Sequence, residues 1–93
     1  MDFEWDPGKS KTNYEKHDID FNTAKAIWND PDRIIIKAPY PLESRYIIIG
    51  QLQGKTWTGI YTMRDYAIRI ISVRRSRKKE EVLYGYEKNR KKQ

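Results

Sequence analysis

Between residues 33 and 73 the chain carries four β-branched or aromatic stretches in close succession, and this pattern leaves few folds open. Ile34, Ile35 and Ile36 fill the first, at 33–37. Tyr46, Ile47, Ile48 and Ile49 fill the second, at 45–52. The third covers 56–63 and the fourth 67–73. Such side chains suit a pleated, half-buried surface and lose rotamer freedom in a helix. Pro39 and Pro41 separate the first two stretches, Gln53, Gly54 and Lys55 make a tight connection, and Arg64, Asp65 and Tyr66 join the last pair. Links this short cannot hold a crossover, so the strands are expected to form an antiparallel meander.

The flanks read as helices. Phe3, Glu4 and Trp5 alternate as a short strand. Asp6 then offers an N-cap, with Pro7 at the first helical position, and a helix is expected from 7 to about 16. Tyr14 is its core-facing candidate, while Lys9, Asn13 and His17 share another face. Asp18 stands where a left-handed residue would end the helix. Asp20 can cap a second helix over 21–29, with Phe21, Ala24, Ile27 and Trp28 as its buried stripe and Pro31 as its stop. Ser76 can cap a final helix with a narrow stripe of Val82, Leu83 and Tyr86, weakened by Gly85. Residues 88–93 are expected to fray. The order is strand, two helices, four strands, helix: one α+β domain over residues 1–93, the early helices covering one sheet face.

With no cysteine and one histidine, disulfides, thiolate metal sites and a catalytic zinc are not expected. No run approaches the roughly 20 apolar residues of a membrane span. The acidic start, Met1 to Asp6, lacks the apolar segment of a signal peptide, so a cytoplasmic location is expected. The net charge of +6 is unevenly spread: residues 1–46 hold 7 Lys/Arg against 9 Asp/Glu, and residues 47–93 hold 12 against 4. The basic half suits a polyanion.

RNA can be cut with no metal or cofactor, because its own 2′-hydroxyl attacks the adjacent phosphorus. The protein must then supply a base, an acid and fixed cations. His17 is the best proton carrier, histidine being the side chain that ordinarily titrates near neutral pH. The competing role for it is a cation at a helix C-terminus. A second carrier has to come from Glu4, a lysine such as Lys9, a tyrosine or an arginine. Arg69 and Arg74 offer planar forks for phosphate. Strand alternation places Arg69 with Ile71 and Val73, and Arg74 with Ile70 and Ser72, so the two arginines share a site only if the strand bulges or ends between them. Arg75, Arg77, Lys78 and Lys79 are candidates for general phosphate attraction. Tyr66 and Tyr84 are candidates to stack unpaired bases, Tyr61 and Tyr86 to fill the core, and Trp5, Trp28 and Trp57 to serve as core or partner contacts. Two other functions fit the same basic face. One is a non-catalytic RNA- or DNA-binding module, the other a basic protein that receives an acidic partner.

The motifs F-E-W-D-P-x-K at 3–9, N-x-x-K-H at 13–17 and D-F-x-x-A at 20–24 resemble the opening of BrnT toxins. The resemblance continues through Tyr61 and Thr62, then R-I-I-S-x-R at 69–74, then the basic-acidic start of the last helix. It implies a RelE-like fold and a ribonuclease toxin of a type II toxin–antitoxin system. It also implies that translation is stalled by RNA cleavage, and that a BrnA-like antitoxin, itself a DNA-binding protein, neutralises the toxin in a heterotetramer built on an antitoxin dimer. Contact with DNA would then be indirect. The motif positions draw attention to Glu4, Trp5, Lys9, Asn13, His17, Thr62, Arg69, Ser72 and Arg74, with Thr62 as an RNA-binding candidate. The family usually has Gly after the histidine, where this chain has Asp18.

Overall fold

The computed structural model describes residues 1–39, 41 and 43–91. In chain order it has β1 (Asp2–Glu4), α1 (Pro7–His17), α2 (Phe21–Ala24), a 3-10 turn (Lys25–Asn29), β2 (Ile34–Ala38), β3 (Arg45–Leu52), β4 (Lys55–Arg64), β5 (Ala67–Arg75) and α3 (Lys78–Lys91). The sheet order is β1-β5-β4-β3-β2. From β2 to β5 each strand pairs antiparallel with the next. β1 adds to β5 in parallel, so the five-stranded sheet is mixed.

The β3–β4 connection is a two-residue turn in which Gln53 and Gly54 both have positive φ. Such a turn matches the right-handed twist of the strands it joins. Asp65 and Tyr66 do the same between β4 and β5.

The core fills one sheet face. Phe21, Ala24, Ile27 and Trp28 pack onto Ile48, Tyr61, Ile68, Ile70 and Val73. Trp28 meets the Phe3 and Tyr61 rings edge-on, at 5.3 and 5.4 Å between centroids. Gly50 lets Ile27 pack close to β3: a Cβ there would lie 2.7 Å from Ile27 Cγ2. The stripe expected over 21–29 is present, but the helix tightens to 3-10 after Ala24. Asp20 caps it, accepting from the Thr23 amide at 2.7 Å.

Three expectations about the helices are corrected. Tyr14 is 54% exposed, and Asn13 is instead the buried residue of α1. The reason is that α1 runs along the open edge of β5, where backbone polar groups and not apolar side chains need covering. The Ser76 hydroxyl does not cap α3, because it is bonded to Thr58 Oγ1 at 2.8 Å. Glu80 takes that role from inside the helix, its carboxylate accepting from the Arg77 amide at 2.7 Å. Finally, α3 continues as helix to Lys91, and its stripe of Val82, Leu83 and Tyr86 is exposed. The helix docks through polar contacts, Glu80 to Arg74 and Tyr84 to Asp30.

Candidate active site

Helix α1 is fixed at both ends by the residues its sequence supplies. Asp6 Oδ1 accepts from the Gly8 and Lys9 amides at 2.8 and 3.3 Å, with Pro7 opening the helix. Asp18 ends it at φ 61°, ψ 29°, its amide donating to the Tyr14 carbonyl. This left-handed geometry is one that glycine adopts more readily than aspartate. Lys16 and His17 occupy the last turn, where the helix dipole favours cations.

Asn13 holds α1 to the sheet. β1 covers β5 only from Ala67 to Arg69, leaving the strand edge open beyond. The Asn13 amide fills the gap like a short strand. Its Oδ1 accepts from the Val73 amide at 3.1 Å, and its Nδ2 donates to the Val73 carbonyl at 2.9 Å and the Ile19 carbonyl at 2.8 Å. Buried edge groups are thereby satisfied.

A groove of about 530 Å³ lies between α1 and this edge, with Lys9, Thr12, Lys16 and His17 on one wall and Ile71 and Ser72 on the other. The spacing of the α1 residues follows the helical repeat, which stacks them on one face. Lys9 and His17, paired from sequence, thus share a cavity, and Lys16 is an addition the sequence reading did not single out. Its signal was present: position 16 belongs to the same face as 9 and 12.

The far wall is a β-bulge. Ile60 pairs with Ser72 and Tyr61 with Ile70, so Ile71 is the extra residue. The bulge also answers the question of arginine facing. Ile68, Ile70 and Val73 all point into the core, which leaves Arg69 and Arg74 together on the opposite sheet face. Unbroken alternation would have separated them.

Each arginine is held by a carboxylate, and neither lines the groove. Arg69 Nη1 donates to Glu4 Oε2 at 2.7 Å across the β1–β5 pair, both side chains partly exposed. Arg74 is gripped harder: Nη1 and Nη2 reach the two oxygens of Glu80 at 2.8 and 2.9 Å. That fork, outweighing the effect of burial, pulls the Glu80 carboxyl down to about 2 and raises Arg74 further.

The remaining candidates divide by exposure. Arg75, Arg77, Lys78 and Lys79 are exposed at the β5–α3 junction, Arg75 lying 5.4 Å over the Trp57 ring. Thr62 is corrected as a surface contact: it is 2% exposed and its hydroxyl donates to the Ser44 carbonyl at 2.8 Å. Of the tyrosines, Tyr61 is buried and Tyr66 exposed, whereas Tyr86 is exposed and Tyr84 buried, the reverse of expectation for the last two. Tyr84 instead donates to Asp30 Oδ2 at 2.6 Å. Burial and that bond raise the Tyr84 phenol. Burial alone would raise Asp30 too, but bonds from Tyr84 and the Gln51 and Asp32 amides outweigh it and lower the carboxyl. Among the described residues, no group of three or more His, Cys, Asp or Glu could hold a metal ion. None of their helices is long and apolar enough to cross a membrane.

Residues 5–80 match the family model described as "Ribonuclease toxin, BrnT, of type II toxin-antitoxin system". The chain belongs to the BrnT family. The match takes in the whole groove, the bulge, Arg69, Arg74 and Glu80, and leaves out Glu4 and most of α3. As a BrnT-family chain it is a type II toxin, which implies an RNA substrate and an antitoxin partner. No individual curated protein matches it.

Proposed function

We propose that this BrnT-family chain cleaves RNA in the groove between α1 and the β5 bulge, by metal-independent attack of the 2′-hydroxyl on the adjacent phosphodiester. The observation that carries this reading is the convergence of His17, Lys9 and Lys16 on one 530 Å³ cavity with the Ser72 bulge opposite. His17 takes the proton from the attacking 2′-hydroxyl, and Lys9, in the same groove, or Glu4 gives one to the leaving 5′-oxygen. Lys9 and Lys16 neutralise the phosphate and the charge that builds on the phosphorane. Cations at the reacting centre are the kind of electrostatic support such chemistry needs.

Arg69 and Arg74 take different parts. Glu4 holds Arg69 through one contact only, so the rest of its fork can meet a neighbouring phosphate, and Glu4 is a candidate second proton carrier beside it. Arg74, clamped by both Glu80 oxygens, serves first to fix α3. Arg75, Arg77, Lys78 and Lys79 draw in the flanking backbone. The fold is proposed to be RelE-like. Cleavage is proposed to stall translation in the cytoplasm until a BrnA-like antitoxin, as a dimer in a heterotetramer, covers the site.

The test is incubation of purified protein with RNA in EDTA, followed by analysis of product ends. Cleavage leaving a cyclic phosphate or 3′-phosphate is expected. A strict need for added divalent metal, or binding without any cut, would overturn the mechanism.

A further inference from the structure

Helix α3 is amphipathic in the inverted sense. Glu80, Tyr84 and Lys88, four residues apart, form its inner stripe, and each is tied to the body of the protein by a polar contact. Glu80 meets Arg74, Tyr84 meets Asp30 at 2.6 Å, and Lys88 approaches Asp32 at 4.0 Å. The apolar residues point the other way: Val82 is 58% exposed, Leu83 37% and Tyr86 63%. At spacings of one, three and four residues they form one outward patch. Lys79 and Arg90 prolong the same side by a turn in each direction.

An outward apolar patch has no task inside this molecule, since the polar stripe already fixes the helix. Its chemistry selects an occupant. Two branched aliphatic side chains at the centre neither bond a phosphate nor stack on a base, so RNA fits poorly. A second copy would set like charges face to face, because exposed Lys78, Lys79 and Arg90 flank the patch. An acidic-rimmed apolar segment of another protein satisfies both parts of the surface.

We propose that the outer face of α3, formed by Lys79, Val82, Leu83, Tyr86 and Arg90, is the docking surface for an amphipathic antitoxin segment whose apolar row is bordered by Asp and Glu. This rests on the toxin–antitoxin reading above and deepens it. The apolar part of the surface lies beyond residue 80, where the match to the family model ends.

The experiment uses the full chain and the protein encoded by the neighbouring small gene. Titration calorimetry compares wild type with Val82→Glu/Tyr86→Glu and with Ile35→Glu, which charges an exposed apolar residue elsewhere. Circular dichroism checks each fold. The double variant is expected to bind at least roughly 30-fold more weakly, the loss expected when one hot-spot residue is removed, and Ile35→Glu to bind as wild type. The double variant should still cleave RNA but escape inhibition. Equal binding by wild type and double variant would overturn the proposal, as would failure of wild type to bind that protein. Self-association or capture by anionic lipid vesicles, lost in the double variant, would overturn it in favour of a second copy or a membrane. If RNA is not cleaved, the ribonuclease reading fails while the binding results still judge the surface.

Discussion

Helices α1 and α3 each bury a single residue, and in both it is polar or amphipathic: Asn13 in one, Tyr84 in the other. Neither is held mainly by an apolar stripe, the usual source of helix stability in a small domain. What they leave exposed differs. α1 turns Lys9, Lys16 and His17 toward a groove, whereas α3 turns Val82, Leu83 and Tyr86 toward solvent. A helix anchored through polar bonds is free to spend its other positions on function. In the proposed reading one is a proton-moving, cationic wall and the other a protein-facing patch.

The sharpest way to break this comparison is on the α1 side. His17→Ala should fold as wild type and lose roughly 10²- to 10⁴-fold in RNA cleavage, the contribution typical of a positioned acid or base. Single-turnover assays beside circular dichroism check it. A folded, fully active variant would remove His17 from the chemistry.

Anchors come next. Asn13→Ala strands the Val73 amide and carbonyl at the β5 edge and should cost about 2–4 kcal/mol, read from urea unfolding. The α3 anchor is smaller and depends on pH. Glu80 is lowered from 4.5 to about 2 in the folded chain, chiefly by the Arg74 fork. A depressed carboxylate stabilises the fold above its unfolded value and loses that effect as pH falls from about 4.5 toward about 2. Glu80→Gln should therefore cost about 2–3 kcal/mol near neutral pH, with the gap to wild type closing across that acidic window. A gap independent of pH would mean that the ion pair is not what fixes α3.

The smallest effect sits at the end of α1. Asp18 adopts a left-handed conformation that glycine takes without penalty. Asp18→Gly should stabilise the protein by up to about 1 kcal/mol in thermal melts. Destabilisation would show that the carboxylate has a structural partner role the geometry does not reveal.

Much of this was legible in the residues. Asp6–Pro7, Asp18 and Asp20 marked helix ends correctly because capping is local chemistry. The strands were visible because the isoleucine runs have no other use. What escaped the sequence depended on a neighbour. Tyr14 looks like a core residue until α1 is found against a strand edge, where an amide is worth more than a ring. The bulge at Ile71 leaves no mark in R-I-I-S-x-R, yet it sets Arg69 and Arg74 on one face. Thr62 sits in a matched motif as a hydroxyl that reads equally well as a ligand contact or as a bond to Ser44. Val82, Leu83 and Tyr86 form a normal apolar stripe whose direction is decided by the bonds of Glu80 and Tyr84 to Arg74 and Asp30.

The central claim is that RNA enters the groove between α1 and the β5 bulge. The most direct measurement is an NMR titration of isotope-labelled His17→Ala protein with an uncleavable oligonucleotide lacking the reactive 2′-hydroxyl. The largest amide shifts are expected at Lys9, Thr12, Lys16, Ile71 and Ser72. Shifts confined to α3, with the α1 and bulge signals unmoved, would contradict it.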